Sequence, residues 1–192
     1  MRIIAGEARG RRLKDVPGEG TRPITDRARE ALFGKLHDWI PDRRVLDLFG
    51  GTGSVGLEAL SRGARHATFV DRGTRAVATI RANGAACGFL ERMEIIRQDS
   101  FAYLEAAAAR GIGEAWDFVF IAPPQFKDMW STALALVDRT AGVLAADGLA
   151  VVQIDPGEDR ELALERLERF DQRRYGRVML CYYRLRPATG DI

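Results

Sequence analysis

The chain has 192 residues, enough for one complete hydrophobic core and short of two large independent domains. Hydrophobic residues at 46% and charged residues at 29% exclude a disordered chain, and no apolar run approaches the roughly 20 residues of a membrane helix. A net charge of +2 excludes a uniformly cationic protein, while two isolated cysteines, Cys87 and Cys181, argue against a disulfide framework or a structural zinc site.

With no secretory pattern at its start, the chain is expected to stay in a reducing cytoplasm and to hold no metal. The opening RIIAGEARGRRL mixes short apolar pairs with glycine and arginine and predicts a small hairpin or an extended, flexible arm, followed by a turn at GEGTRP. In TDRAREALFGKLHDW, Thr25 or Asp26 can cap a helix whose Ala28, Leu32, Leu36 and Trp39 share one face, and Pro41 closes it. Residues 1–40 thus read as a basic arm and helix, and 41–192 as the main domain.

From Arg43 strands and helices alternate: VLDLF, then a helix through GLEALSRG; HATFVD, then a helix from Arg75 to Ala86; MEIIRQD, then a helix over FAYLEAAAARG. The fourth strand, WDFVFIAPP, is continuously apolar, as expected of one covered on both faces. A helix in MWSTALALVDRTAG, a fifth strand in GLAVVQID and a last helix in DRELALERLERF follow. The end, RRYGRVMLCYYRL, reads as two strands parted near Gly176. Seven strands mostly linked by helices predict an α/β fold with a parallel sheet, an antiparallel C-terminal hairpin and ligands at the carboxyl ends of the strands.

The first strand runs into Asp47-Leu-Phe-Gly50-Gly51-Thr-Gly53-Ser-Val-Gly56 and then a helix, a place where glycines let a ligand approach the backbone and a helix N-terminus presents N–H groups. Gly51, Gly53 and Gly56 match the dinucleotide pattern G-x-G-x-x-G, a weak signal alone. Asp47 discriminates: a carboxylate there repels a pyrophosphate but pairs with the α-ammonium of S-adenosylmethionine, which favours a methyl donor over NAD. Asp71 closes the second strand, where a carboxylate can accept both ribose hydroxyls, and Asp99 follows the third, within reach of an adenine amino group. Each of these acids, and Ser100, could instead cap a turn or helix, and that alternative stays open. Phe49 and Arg72 join the candidate cofactor set by adjacency.

Taken together, RIIAGEARGRRL, RPITDRAREALF, DLFGGTGSVGLEALSRGA and RRYGRV resemble the bacterial small-subunit ribosomal RNA guanine-N2 methyltransferases, from Met1 to about Leu185. The resemblance implies a Rossmann-like class I S-adenosylmethionine-dependent methyltransferase fold. It also implies S-adenosylmethionine as cofactor and, as substrate, a guanine of ribosomal RNA in the assembling small subunit. By the same resemblance Asp47, Gly51, Gly53, Asp71 and Asp99 line the donor site and residues 22–29 shape the active-site rim.

One motif departs from that pattern. Methylases of exocyclic base amines carry Asp or Asn, then Pro-Pro, then Tyr or Phe at the end of the fourth strand. The side chain and the first proline's carbonyl hold the amine, and the aromatic stacks on the base. Here the run is Ala122-Pro123-Pro124-Gln125-Phe126. Three readings stand: alignment alone with the Pro123 carbonyl and Gln125 as acceptors, an acceptor recruited from Asp26, or lost catalysis with retained RNA binding. Phe126 could also be plain core packing.

For RNA, Arg2, Arg9, Arg11, Arg12 and Lys14 are opposed by the single acid Glu7, and Arg22, Arg27 and Arg29 extend the basic run. Tyr175 beside Arg173, Arg174 and Arg177 interleaves an aromatic with cations, a combination suited to unpaired bases and phosphates. Tyr182 and Tyr183 face opposite ways on a strand and suit packing instead. Nothing in the pattern argues for a dimer, so a monomer is expected.

Overall fold

The computed structural model describes residues 1–18, 24–110 (backbone alone at 108–110) and 115–187. In chain order it contains α1 (Asp26–Lys35), β1 (Arg44–Asp47), α2 (Ser54–Ser61), β2 (His66–Asp71) and α3 (Thr74–Cys87). These are followed by β3 (Met93–Arg97), α4 (Ser100–Arg110), β4 (Trp116–Ile121), α5 (Met129–Arg139), β5 (Leu144–Ile154), β6 (Leu167–Tyr175) and β7 (Val178–Leu185). One seven-stranded sheet runs β3-β2-β1-β4-β5-β7-β6, parallel through β5 and antiparallel over the closing hairpin. This is the Rossmann-like arrangement expected of a class I methyltransferase, and its strand order reverses between β1 and β4, the switch point where such sheets open a crevice.

Strand alternation divides the core into two layers. Val45, Phe69, Phe118, Phe120 and Val151 pack on one face against α1, α2 and α3, while Leu46, Val70, Val119, Ile121 and Val152 pack on the other against α4 and α5. Tyr182 and Tyr183 on β7 are both buried, one in each layer. No helix among the described residues is long and apolar enough to cross a membrane.

Two expectations need correction. The amino-terminal segment is no loose arm: Arg2 and Arg12 bridge in antiparallel fashion, and Ile3 and Leu13 sink into the same core layer as α1 and β1. Residues 1–13 form the small hairpin, one of the two forms expected, and it is seated on the core and not extended as a flexible arm. Burying Ile3 fully contributes about 1.5–3 kcal/mol to that anchoring. The helix expected over DRELALERLERF does not form either. The buried carboxylate of Asp138 on α5 accepts the N–H groups of Glu165 (2.9 Å), Arg166 (2.9 Å) and Leu167 (2.7 Å). That side chain holds the backbone extended, so LERF opens β6 with Leu167 wholly buried.

The hairpin is fastened by Glu58, a fully buried residue of α2. Its Oε2 accepts Ile4 N–H at 2.8 Å and its Oε1 accepts Ala5 N–H at 3.0 Å. The same carboxylate pairs with Arg62 Nε at 2.8 Å and lies 3.6 Å from Nε of Arg29, which is itself 0% exposed. Arg29 also donates to the Arg2 carbonyl and, at 3.0 Å, to Asp26. Burial lowers the Arg29 pKa, and the Glu58 and Asp26 charges oppose that shift. Gly6 completes the seat: it has φ +82°, and a Cβ there would lie 1.7 Å from the Ser61 carbonyl oxygen.

Glu58→Ala should strand two arginines and two backbone donors in the interior. We expect it to lower unfolding free energy by about 3–5 kcal/mol in urea titration, whereas a change within about 0.5 kcal/mol, the range of an ordinary surface substitution, would show that the pair has no structural part.

Candidate active site

The carboxyl ends of β1, β2 and β4 open onto a cavity of about 680 Å³, within the roughly 300–1,000 Å³ usual for small-molecule sites. Its walls bring together Asp47, Phe49, Gly51, Asp71, Arg72, Asp99 and Ser100 from the expected cofactor set. Pro123, Pro124, Gln125 and Phe126 of the expected transfer loop line the same cavity, as does Arg177.

Asp47 closes β1 and is 2% exposed. The hydrogen bond it receives comes from Gly56 N–H at 3.3 Å. Burial pushes its carboxyl up to about 7, aided by the nearby Asp71 charge and opposed by the Gly56 N–H. A carboxylate held this way, with no cation paired to it among the described residues, suits a ligand carrying an ammonium and opposes one carrying a pyrophosphate. The donor set therefore fits S-adenosylmethionine.

The glycine loop gets its shape from the next two strands. Gly53 sits at the N-cap of α2 with φ +76°, a left-handed conformation that turns the chain from β1 into the helix. Gly53 itself is not in the cavity wall. Gly56, the last glycine of the pattern, serves packing: a Cβ there would fall 2.4 Å from the Phe69 ring. Asp71 accepts Gly51 N–H at 2.9 Å through one oxygen and Gly73 N–H at 2.8 Å through the other, leaving each a second lone pair toward the cavity.

Asp99 and Ser100 divide between the two readings open for them. Oδ1 of Asp99 caps α4 by accepting Phe101 N–H at 3.0 Å and Ala102 N–H at 3.2 Å, leaving Oδ2 for a ligand. Ser100 donates its hydroxyl to the Leu48 carbonyl, so it ties α4 to the glycine loop. Asn83 does the same from α3, donating to the Thr52 and Lys14 carbonyls at 2.9 and 3.0 Å.

The transfer loop is fixed by one left-handed residue and one carboxylate. Phe126 has φ +58°, an outlier for a bulky residue, and its N–H is gripped by Glu158 Oε1 at 2.8 Å. Glu158 in turn takes Asp155 N–H at 3.2 Å in the turn after β5. Phe126 is 66% exposed and lines the cavity, which excludes the core-packing alternative. Gln125 lines the cavity, and its Nε2 is buried with no hydrogen-bond partner.

Other expected residues lie elsewhere. Asp26 is outside the cavity wall, its side chain 52% exposed and bonded to Arg29, so the structure does not bring it to the transfer site. Arg29 is buried under the hairpin and cannot reach a phosphate from there. Arg2, Arg9, Arg11 and Arg12 are exposed on the hairpin, Lys14 just after it and Arg27 on α1, none of them in the wall, and Tyr175 is half-buried against the core. Arg22 lies outside the described residues. Sequence reading missed Lys127 at the mouth and Gln153 on β5, both in the wall. The signal for Gln153 was a lone amide inside the apolar run AVVQI.

The chain is similar to known proteins over most of its length. A family model described as "Conserved hypothetical protein 95" matches residues 1–184. The Bacillus subtilis (strain 168) protein named "Putative rRNA methyltransferase YlbH" is 37% identical over 85% of this chain and 85% of its own. Ribosomal RNA small subunit methyltransferase D of Haemophilus influenzae is 36% identical over 71% of this chain and 70% of its own. Among solved structures, a hypothetical protein of Thermus thermophilus superposes with a TM-score of 0.78 at 33% identity, covering 96% of this chain and 99% of that one.

The folded protein keeps a proton on Asp47 that the unfolded chain gives up near pH 4, so this stabilising contribution is full in acid and is lost as pH rises through about 7. Asp47→Asn should abolish that slope. In urea titrations without ligand it should exceed the parent by about 2–4 kcal/mol at pH 8, and by less at pH 5; an equal difference at both values would contradict the assignment.

Proposed function

The chain belongs to the Conserved hypothetical protein 95 family and to the small-subunit ribosomal RNA methyltransferase D family, and from that premise we propose its reaction: transfer of a methyl group from S-adenosylmethionine to the exocyclic N2 amine of a guanine in small-subunit ribosomal RNA, within the assembling particle. The observation that carries this reading is a single cavity with carboxylates from the ends of three successive strands at one end and the Pro-Pro loop with a bare aromatic at the other.

When bound, S-adenosylmethionine supplies an electrophilic methyl group on a sulfonium. Asp47 pairs with its ammonium, Asp71 accepts from the ribose hydroxyls, and Asp99 takes the adenine amine on Oδ2. At the other end the Phe126 ring offers a face on which an extruded base stacks, and Lys127 and Arg177 at the mouth meet the flanking phosphates. The amine of guanine is conjugated to its ring and weakly nucleophilic, so the loop's work is alignment, with the Pro123 carbonyl accepting one amine hydrogen. To the amine's lone pair the bound donor would supply the methyl carbon, with the pair of the broken carbon–sulfur bond left on sulfur. The methylated nitrogen then releases a proton to water, and no side-chain base is required. The exposed arginines of the hairpin give a fixed basic edge for the RNA backbone outside the cavity.

Because the donor's ammonium must ionise Asp47, binding between pH 6 and 7 should release protons. Calorimetry in buffers of different ionisation enthalpy would register this for S-adenosylmethionine, and NAD should give no heat. Incubation with under-methylated small subunits should place label on guanine N2, read by nucleoside mass spectrometry; label on another base, or none with the donor bound, would refute the reading.

A further inference from the structure

Two strands meet at the transfer end of the cavity. In the parallel pairing of β4 with β5, Phe118 lies beside Leu149, Phe120 beside Val151 and Ile121 beside Val152. One more step in that register puts Gln153 beside Ala122, where β4 leaves the sheet for Pro123. Alternation gives both the face that carries Phe120 and Val151.

Gln153 is 5% exposed, lines the cavity, and its Oε1 has no hydrogen-bond partner. An unpaired buried acceptor is costly, and in this strand Val or Leu would fill the place without that cost. The arrangement makes sense if a ligand brings the missing donor. The alanine one strand away strengthens the point, because its methyl contributes no acceptor of its own.

Resting on the amine-methylation reading above, we propose that Gln153 is a catalytic residue whose Oε1 accepts a hydrogen bond from the exocyclic amine of the target base. It supplies from β5 the acceptor that Ala122 cannot supply from β4. The amide takes no proton: nitrogen donates its lone pair to the methyl carbon, sulfur keeps the pair of the broken bond and becomes a neutral thioether, and the proton leaves nitrogen for water. Gln153 and the Pro123 carbonyl between them hold both amine hydrogens, which turns the lone pair toward the donor.

The test uses the full chain with labelled S-adenosylmethionine and under-methylated small subunits in single turnover, with calorimetric donor affinity and the urea midpoint measured on each variant. Gln153→Met keeps length and burial but removes the acceptor, and Gln153→Leu is measured beside it in case either packs poorly. We expect a loss of about 10²-fold in rate, with donor affinity unchanged and the midpoint unchanged or raised, because the unpaired acceptor is gone. Gln153→Glu, which keeps an acceptor, should lose less than tenfold, and adding Ala122→Asn to Gln153→Met should recover at least tenfold. A Gln153→Met rate equal to the parent's overturns the proposal alone and leaves the methyltransferase reading standing. Affinity or midpoint falling in step with rate assigns Gln153 a packing role and overturns it too. A parent protein that transfers nothing takes both down.

Discussion

The buried carboxylate of Glu58 sets the amino-terminal half of this molecule. It lies one turn inside α2, the helix that the glycine loop opens into, and it gathers two backbone N–H groups of the hairpin, Arg62 of its own helix and Arg29 of α1. A carboxylate with no exposure needs partners to offset its lost hydration, and those of Glu58 come from three separate elements. The hairpin, α1 and α2 thereby lock as one body on one face of the sheet. Asn83 adds the link from α3 to the loop itself. Rigidity of the glycine loop therefore comes from long-range polar contacts as much as from its own residues.

That rigidity positions the unusual group of the site. Asp47 is nearly as buried as Glu58, but no arginine meets it among the described residues. The protein answers one buried acid internally and leaves the other for a cationic ligand. Gln153 repeats the logic with a neutral group: an acceptor placed in the interior with nothing to accept. Unpaired buried polar atoms are uncommon in native interiors, and Gln153 and Gln125 both carry one in the wall of the cavity that Asp47 also lines, where a ligand would complete the network.

Much of the fold was legible because it depends on local pattern. The alternation from Arg43 onward, the strand-end acids Asp47, Asp71 and Asp99, and the break at Gly176 all follow from hydrophobic period and turn chemistry. What escaped depends on contacts far apart in sequence. The run DRELALERLERF has helical periodicity, yet Asp138, more than twenty residues earlier, claims the N–H groups that a helix would use. Arg29 looked like one more cation in a basic run and is instead the covered partner of Glu58. Exposure cannot be read from charge alone. For Phe126 the sequence left base stacking and core packing both open, and what decides between them is a left-handed backbone and the grip of Glu158, a residue no local pattern connects to it.

The central claim is that the ammonium of a methyl donor satisfies Asp47. A crystal structure with S-adenosylhomocysteine, which keeps the donor's amino-acid end, tests it most directly. The account predicts the ligand's amino group within hydrogen-bonding reach of Asp47, directly or through one water, and the ribose hydroxyls on Asp71. A ligand bound with Asp47 turned away, or with its adenine where the amino acid should lie, would contradict it.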